Sequence, residues 1–391
     1  KWGHFFYNAG MDRRCGLKIK VYWLHNSKPQ YFVIFYSVYG FGHLTEITIK
    51  VTLTGKFAPG EMMLTNFDSE KYSPKFSGHE TFPLRFGWLK KAYDAVEASN
   101  VQDEQQNPFR DEAAIAKFGV GKNMVTSMQH WAEVTGFMAK NLEPAEDDKR
   151  VIINTPLADA VLNTEGHDPY LENPATSWIV HWNLVSKPTC TTWYWSFNHF
   201  NYGIFDREQL QSALASVCAE RGWSKRASLP TLKRDVECFV RTYSAKPLKA
   251  GEGLDASIDG PLVELGLLDA TGKRDGFRFN FGEKPNLSDE CFAYIIFDYW
   301  EQHIGAQTNS VSLEALALNP SSPGRCLLLD VDSLTRRLER LEQVTQGKLW
   351  LDPSAGLKEL RKRITISDVE KDQMLKSIYE TQSVSEHTNA A

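Results

Sequence analysis

The six cysteines of this 391-residue chain, Cys15, Cys190, Cys218, Cys238, Cys291 and Cys326, are scattered and include no CxxC pair. That spacing excludes a zinc ribbon and a disulfide framework, and it fits a reducing cytoplasm. Long apolar runs are missing too. The richest, Tyr31 to Phe41, falls well short of the ~18 residues that cross a bilayer, so no membrane partner is expected. HExxH, GxGxxG and Gly-x-Ser-x-Gly are all absent, which leaves zincin, dinucleotide-binding and hydrolase readings without their signatures. Basic charge is also scarce, with 44 Lys and Arg against 49 Asp and Glu, a net −5. Any contact with nucleic acid must therefore come from a local patch.

Against these absences stands one organised stretch, Asp111 to Met138, DEAAIAKFGVGKNMVTSMQHWAEVTGFM. It reads as two short helices joined by Gly119-Val120-Gly121, with Gly136 as a left-handed stop. Ala114, Ile115 and Phe118 form the inner side of the first helix. Met124, Val125, Met128, Trp131 and Ala132 make one apolar stripe on the second. That leaves Lys122, Asn123, Thr126, Ser127, Gln129 and His130 facing outward, a donor-rich surface suited to a major groove, with Arg85 and Lys117 flanking it. The alternative is an ordinary αα-hairpin with a polar outer face. A P-loop is excluded, because Ala116 stands where its first glycine belongs and Asn123 where Ser or Thr should bind magnesium.

Upstream, Pro83 suits a first helical position, and Leu84, Trp88, Ala92 and Val96 follow four apart. Residues 62–145 are expected to form a winged helix-turn-helix head. The first sixty residues differ, with eight basic against two acidic residues (+6, leaving the rest at −11) and 13 aromatics. Segment 1–61 is either a small β module or an extension upstream of the natural protein, and composition favours the extension. Three of its runs, Lys18–Leu24, Tyr31–Val38 and Thr45–Leu53, are β-branched and aromatic.

Downstream of a charged linker, Asn141–Arg150, residues 151–250 read as a helical, Trp-rich middle domain, with Asn173-Pro174 starting a helix and its tryptophans in the core. Residues 251–370 read as a winged-helix-like α+β region. There Pro261–Leu268 leads into a hairpin, and Ser312–Ala317, Arg325–Asp330 and Ser333–Val344 echo the theme without a clean sequence repeat. A polar tail, 371–391, is expected to begin helical and end disordered. The fold class is thus α+β, predominantly α-helical and multi-domain, with further winged-helix-like units toward the C-terminus.

Chemistry, if present, would rest on two Gly-His-acid motifs, Gly78-His79-Glu80 and Gly166-His167-Asp168. His79, Glu80, Asp168, Glu172 and His181 could together hold Mg or Mn for phosphodiester cleavage, provided that they converge. The plainer alternative makes Glu80 a helix-dipole partner and Asp168 a turn starter.

Several blocks carry a resemblance: Phe76–Val96, Ala114–Val125, His167–Trp182, Thr192–Phe200 and Ser322–Arg325. Over roughly residues 71–365 the chain resembles domain-of-unknown-function family 4007, found in bacterial anti-phage operons that place phosphorothioate marks on DNA. The resemblance implies DNA engagement beside a cysteine desulfurase, an ATPase and a sulfurtransferase resembling PAPS reductases, in a single-strand Ssp-type system. More weakly, it implies DNA nicking. Rival readings are a non-catalytic adaptor that delivers such enzymes to DNA and a winged-helix transcriptional regulator.

Overall fold

In this computed structural model the described residues are 2–5, 17–24, 31–40 and 43–49, then 67, 69, 72–101, 107–110, 113–141, 151–245, 260–272, 275–353 and 358–389. The β-branched and aromatic runs near the start do form strands. β1 (Trp2–Phe5), β2 (Leu17–Leu24), β3 (Tyr31–Gly40) and β4 (His43–Ile49) make an antiparallel sheet in chain order, within a unit of its own, Lys1–Met63.

In the second unit, α1 (Trp88–Val101) starts later than Pro83 suggested, because Gly87 adopts φ +73 and a turn precedes the helix. Leu84, Trp88, Leu89, Ala92, Tyr93 and Val96 are nevertheless all buried, as their spacing requires. α2 (Ala114–Phe118) ends at Gly119 in the left-handed region (φ +65), and α3 (Lys122–Val134) is followed by Gly136 (φ +78). The expected inner side needs one correction. Ile115 is 47% exposed, since Ala114 and Phe118, four apart, take the inward face of this short helix. β5 (Met138–Lys140) and β6 (Ile152–Asn154) then form an antiparallel hairpin; its connection, residues 142–150, lies outside the described residues.

Past α4 (Pro156–Leu162), α5 (Pro174–Val185) begins with the Asn173 side chain accepting from the Ala175 N–H at 2.8 Å. Every residue from Ala175 to Val185 is buried, so this helix is the centre of the core. α6 (Thr191–Asn198) is buried along its length as well. Trp178, Trp182 and Trp193 are fully enclosed, which makes the tryptophan stripe packing.

One strand-and-helix topology then occurs twice. After α6 come β7 (Ile204–Asp206), α7 (Arg207–Glu220), α8 (Leu229–Tyr243), β8 (Leu268–Ala270) and β9 (Gly276–Phe279), with sheet order β7-β9-β8. After α9 (Asp289–Tyr299) come β10 (Ser310–Ser312), α10 (Leu313–Leu318), α11 (Pro323–Cys326), α12 (Val331–Val344), β11 (Leu349–Asp352) and β12 (Glu359–Lys362), with order β10-β12-β11. Both sheets are antiparallel, with the third strand in the middle. Sequence self-comparison misses this because turn positions and apolar periodicity, not residue identity, set the topology.

α13 (Asp368–Asn389) packs on α9 and buries Met374, Leu375 and Ile378, so the chain past residue 370 is core-forming before it becomes polar. The chain is α+β and predominantly helical. Among the described residues no helix is long and apolar enough to cross a membrane.

Candidate nucleic-acid interface

The outward edge of α3 carries Lys122, Asn123 and Thr126, all exposed, and Lys117 is exposed on α2. Among the described residues no side chain caps the N-terminus of α3 at Gly121, and its first turn carries no acid, so the positive end of its dipole is not offset within the helix. Gln129 is half-buried and donates to Glu133 at 2.7 Å, one turn on. A groove of about 570 Å³ opens beside them, lined among the described residues by Asn107, Arg110, Gln129, Glu133 and Lys140. The groove runs between α3 and the β5–β6 hairpin.

Two residues expected on this surface are not there. Ser127 is fully buried, and its hydroxyl donates to the Phe82 carbonyl at 3.4 Å. Its position follows from spacing: Met124, Ser127 and Trp131 form an i, i+3, i+7 row, so the small hydroxyl belongs to the stripe. His130 has its ring under Gly78, where an added Cβ would lie 2.5 Å from Nδ1. Its buried Nε2 has no hydrogen-bond partner, and burial, followed by the charges of His79 and Lys75, lowers its pKa to about 3. The residue is half-buried, but both ring nitrogens are turned inward, Nδ1 against Gly78 and Nε2 into the interior, and away from the outer edge of α3. Arg85 is half-buried, with its guanidinium 5.7 Å from the rings of both Phe82 and Trp88.

Loop 76–83 holds α3 from one side and α8 from the other. Trp131 Nε1 donates to the Phe82 carbonyl at 3.0 Å. On the α8 side, fully buried Asp235 accepts from the Ser77 N–H at 2.8 Å, from His79 Nε2 at 3.1 Å and from Thr192 Oγ1 at 2.7 Å. His79 Nδ1 accepts from the Thr81 N–H at 3.1 Å, which leaves Nε2 carrying the hydrogen donated to Asp235. Arg241 donates to the Thr81 carbonyl at 3.2 Å. The clamp sustains a strained backbone: Ser77, Glu80 and Thr81 have φ of +65, +47 and +72. Each such residue costs on the order of 1–3 kcal/mol and persists only where its surroundings over-determine it.

The Gly-His-acid residues do not assemble into one site. His79 belongs to Asp235, and Glu80 is exposed at the loop tip. Asp168 accepts from the N–H groups of Glu172 (2.8 Å) and Asn173 (3.1 Å) and from Thr176 Oγ1, closing the turn before α5, while Glu172 itself is exposed. His181 lies in the core, with Nε2 donating to the Cys326 carbonyl at 2.8 Å and Nδ1 accepting from the Tyr243 hydroxyl at 2.9 Å. Burial lowers its pKa to about 4, against a smaller upward effect of the Cys326 carbonyl. Among the described residues no three His, Cys, Asp or Glu side chains are grouped as around a metal ion. The set expected to hold Mg or Mn therefore does not fit one, and no cleavage step is derived through it. Asp235 is not among the residues expected from sequence, yet its phase is a signal: an acid inside the Leu232, Val236, Phe239, Tyr243 stripe must be buried and must find partners.

With this geometry established, residues 76–379 match the DUF4007 family of proteins of unknown function, and the chain belongs to that family. Two solved structures described as SspB are similar to it. One is 28% identical with a TM-score of 0.66; the other, magnesium ion-bound SspB, is 27% identical with a TM-score of 0.64. Each comparison covers 79% of this chain and 88% of the other. No curated protein matches it.

Proposed function

We propose that this chain is the DNA-engaging component of a bacterial phosphorothioation-type defence system, and that residues 88–154 act as a winged helix-turn-helix. In this reading α3 enters the major groove and the β5–β6 hairpin is the wing, with Lys122, Asn123 and Thr126 as the leading contacts and Lys117, Gln129 and Arg85 behind them. The single observation that carries it is the exposed, donor-rich edge of α3 with an uncapped N-terminus, beside a groove bordered by Arg110 and Lys140. Membership of the family and likeness to SspB support the system assignment. The cysteine desulfurase, ATPase and sulfurtransferase implied by the resemblance are its proposed partners, in the cytoplasm.

Duplex titration at several salt concentrations tests the DNA reading. Affinity that falls steeply with salt supports it, and binding that is absent or indifferent to salt removes it. Nicking is a second reading, favoured by the likeness to a magnesium ion-bound SspB. Supercoiled plasmid incubated with Mg or Mn decides it. Open-circle product supports a nickase built from residues other than the scattered His and acid set, whereas an unrelaxed plasmid under both metals leaves an adaptor.

A further inference from the structure

The twice-used topology has a consequence for α8. A strand, then helices (α7 and α8 in the first unit; α10, α11 and α12 in the second) and a two-stranded hairpin, with the third strand in the middle of the sheet, is winged-helix-like connectivity. α8 is the last helix before the hairpin in its unit, the place that α3 holds before β5–β6, and α12 holds the same place in the C-terminal unit. The three helices differ in what their outer edges do with charge. On α12, Arg336 pairs with Glu283 at 3.2 Å and Arg340 with Asp289 at 2.5 Å, and Asp332, Glu339 and Glu342 stand exposed among them. That edge is neutralised from within the chain. On α8, Lys233 and Arg234 are exposed, and Lys225 and Arg226 are exposed on the turn before it. Among the described residues, none of these four is in an ion pair; Arg234 reaches only the Pro230 carbonyl, and Arg226 only the Ser73 hydroxyl. Glu237 is the acid on the same edge.

The second observation is the clamp. Loop 76–83 binds α3 through the Phe82 carbonyl and α8 through Ser77 and His79, so the two anchor points are at most five residues apart in the chain. Five residues span at most roughly 18 Å even when fully extended, less than the ~34 Å of one duplex turn. The loop thus ties the buried faces of α3 and α8 to points closer together than one duplex turn. Lysine and arginine without carboxylate partners, on an exposed helix edge, have the chemistry of phosphate contacts and carry no base specificity.

We propose that the basic edge of α8, Lys233 and Arg234 with Lys225 and Arg226 before it, is a second phosphate-binding surface that grips the same DNA duplex as α3. This rests on the DNA-binding reading of α3, and the experiment separates the two. The full chain is titrated with a 20-base-pair duplex at several salt concentrations, as wild type, Lys122→Ala, the Lys233→Ala/Arg234→Ala double variant and Arg336→Ala. Loss of each phosphate contact flattens the log–log slope by about one unit. The expected result is a loss of about two units for the double variant, about one for Lys122→Ala, none for Arg336→Ala, and one duplex bound per chain. A flattened slope in Lys122→Ala with an unchanged slope in the double variant overturns the α8 surface while leaving α3 in place. Two duplexes bound per chain overturns the shared grip. Absence of salt-dependent binding in the wild type overturns the parent reading together with this one. All four substituted side chains are exposed, and matching thermal melts across the set confirm that fold is not the variable.

Discussion

Asp235, fully buried on α8, accepts a hydrogen bond from His79 at 3.1 Å across 156 residues of chain. The same carboxylate takes the Ser77 N–H and the Thr192 hydroxyl, so one acid fixes the loop, α6 and α8 together. His79 was expected to do chemistry; its partners make it a latch on the element that spaces α3 from α8.

Asp235→Ala leaves the Ser77 N–H, His79 and the Thr192 hydroxyl without an acceptor in a closed site. Each buried donor left without an acceptor costs about 1–3 kcal/mol. Urea unfolding should show a midpoint lowered accordingly, with Asp235→Asn intermediate because an amide oxygen can keep part of the set. A change below about 1 kcal/mol in the Ala variant would show that the latch does not hold the loop.

Gly78 carries two independent demands, φ of +90 and contact with the His130 ring. Gly78→Ala is expected to destabilise the fold by about 2 kcal/mol or more, combining backbone strain with the clash. In a double-mutant cycle, His130→Ala should recover the clash component and leave the backbone component. Strict additivity of the two substitutions would separate Gly78 from His130.

Acid sensitivity follows from three enclosed imidazoles. Desolvation, first among the causes in each case, lowers His130 to about 3 and both His181 and His303 to about 4, from 6.5. Each folded pKa lies below its unfolded value, so protons bind the unfolded chain preferentially. Stability is complete above pH 6.5 and declines as pH falls toward 4, at up to ~1.4 kcal/mol per pH unit for each histidine. Unfolding free energy measured at pH 7.5 and 5.0 should differ by up to about 6 kcal/mol, about 2 kcal/mol for each histidine. A flat profile across that interval would mean that these rings are protonated in the folded state.

Local signals in the chain were legible, and distant ones were not. Gly119 and Gly136 sit at left-handed positions because only there does the apolar stripe turn back on itself, and the Asn173 cap and the α3 stripe follow from spacing alone. At Ser127 and Ile115 helical phase overrides residue polarity, burying the hydroxyl and exposing the isoleucine. The His and acid residues looked like a metal set because proximity in motif suggested proximity in space. The partners of His79 and His181, namely Asp235, Tyr243 and the Cys326 carbonyl, lie 62 to 156 residues away, while Asp168 closes a local turn. The helix-then-hairpin pattern hints at paired topologies around α8 and α12, but the order of strands only three or four residues long in a sheet is a tertiary property.

The measurement that bears most directly on the account is the salt dependence of duplex binding by the wild-type chain and by Lys122→Ala. The account predicts affinity that falls linearly on log–log axes with a slope of several units, and a slope about one unit shallower in the variant. Binding that is absent, or an identical slope in both proteins, would contradict the assignment of α3 as the DNA-contacting helix.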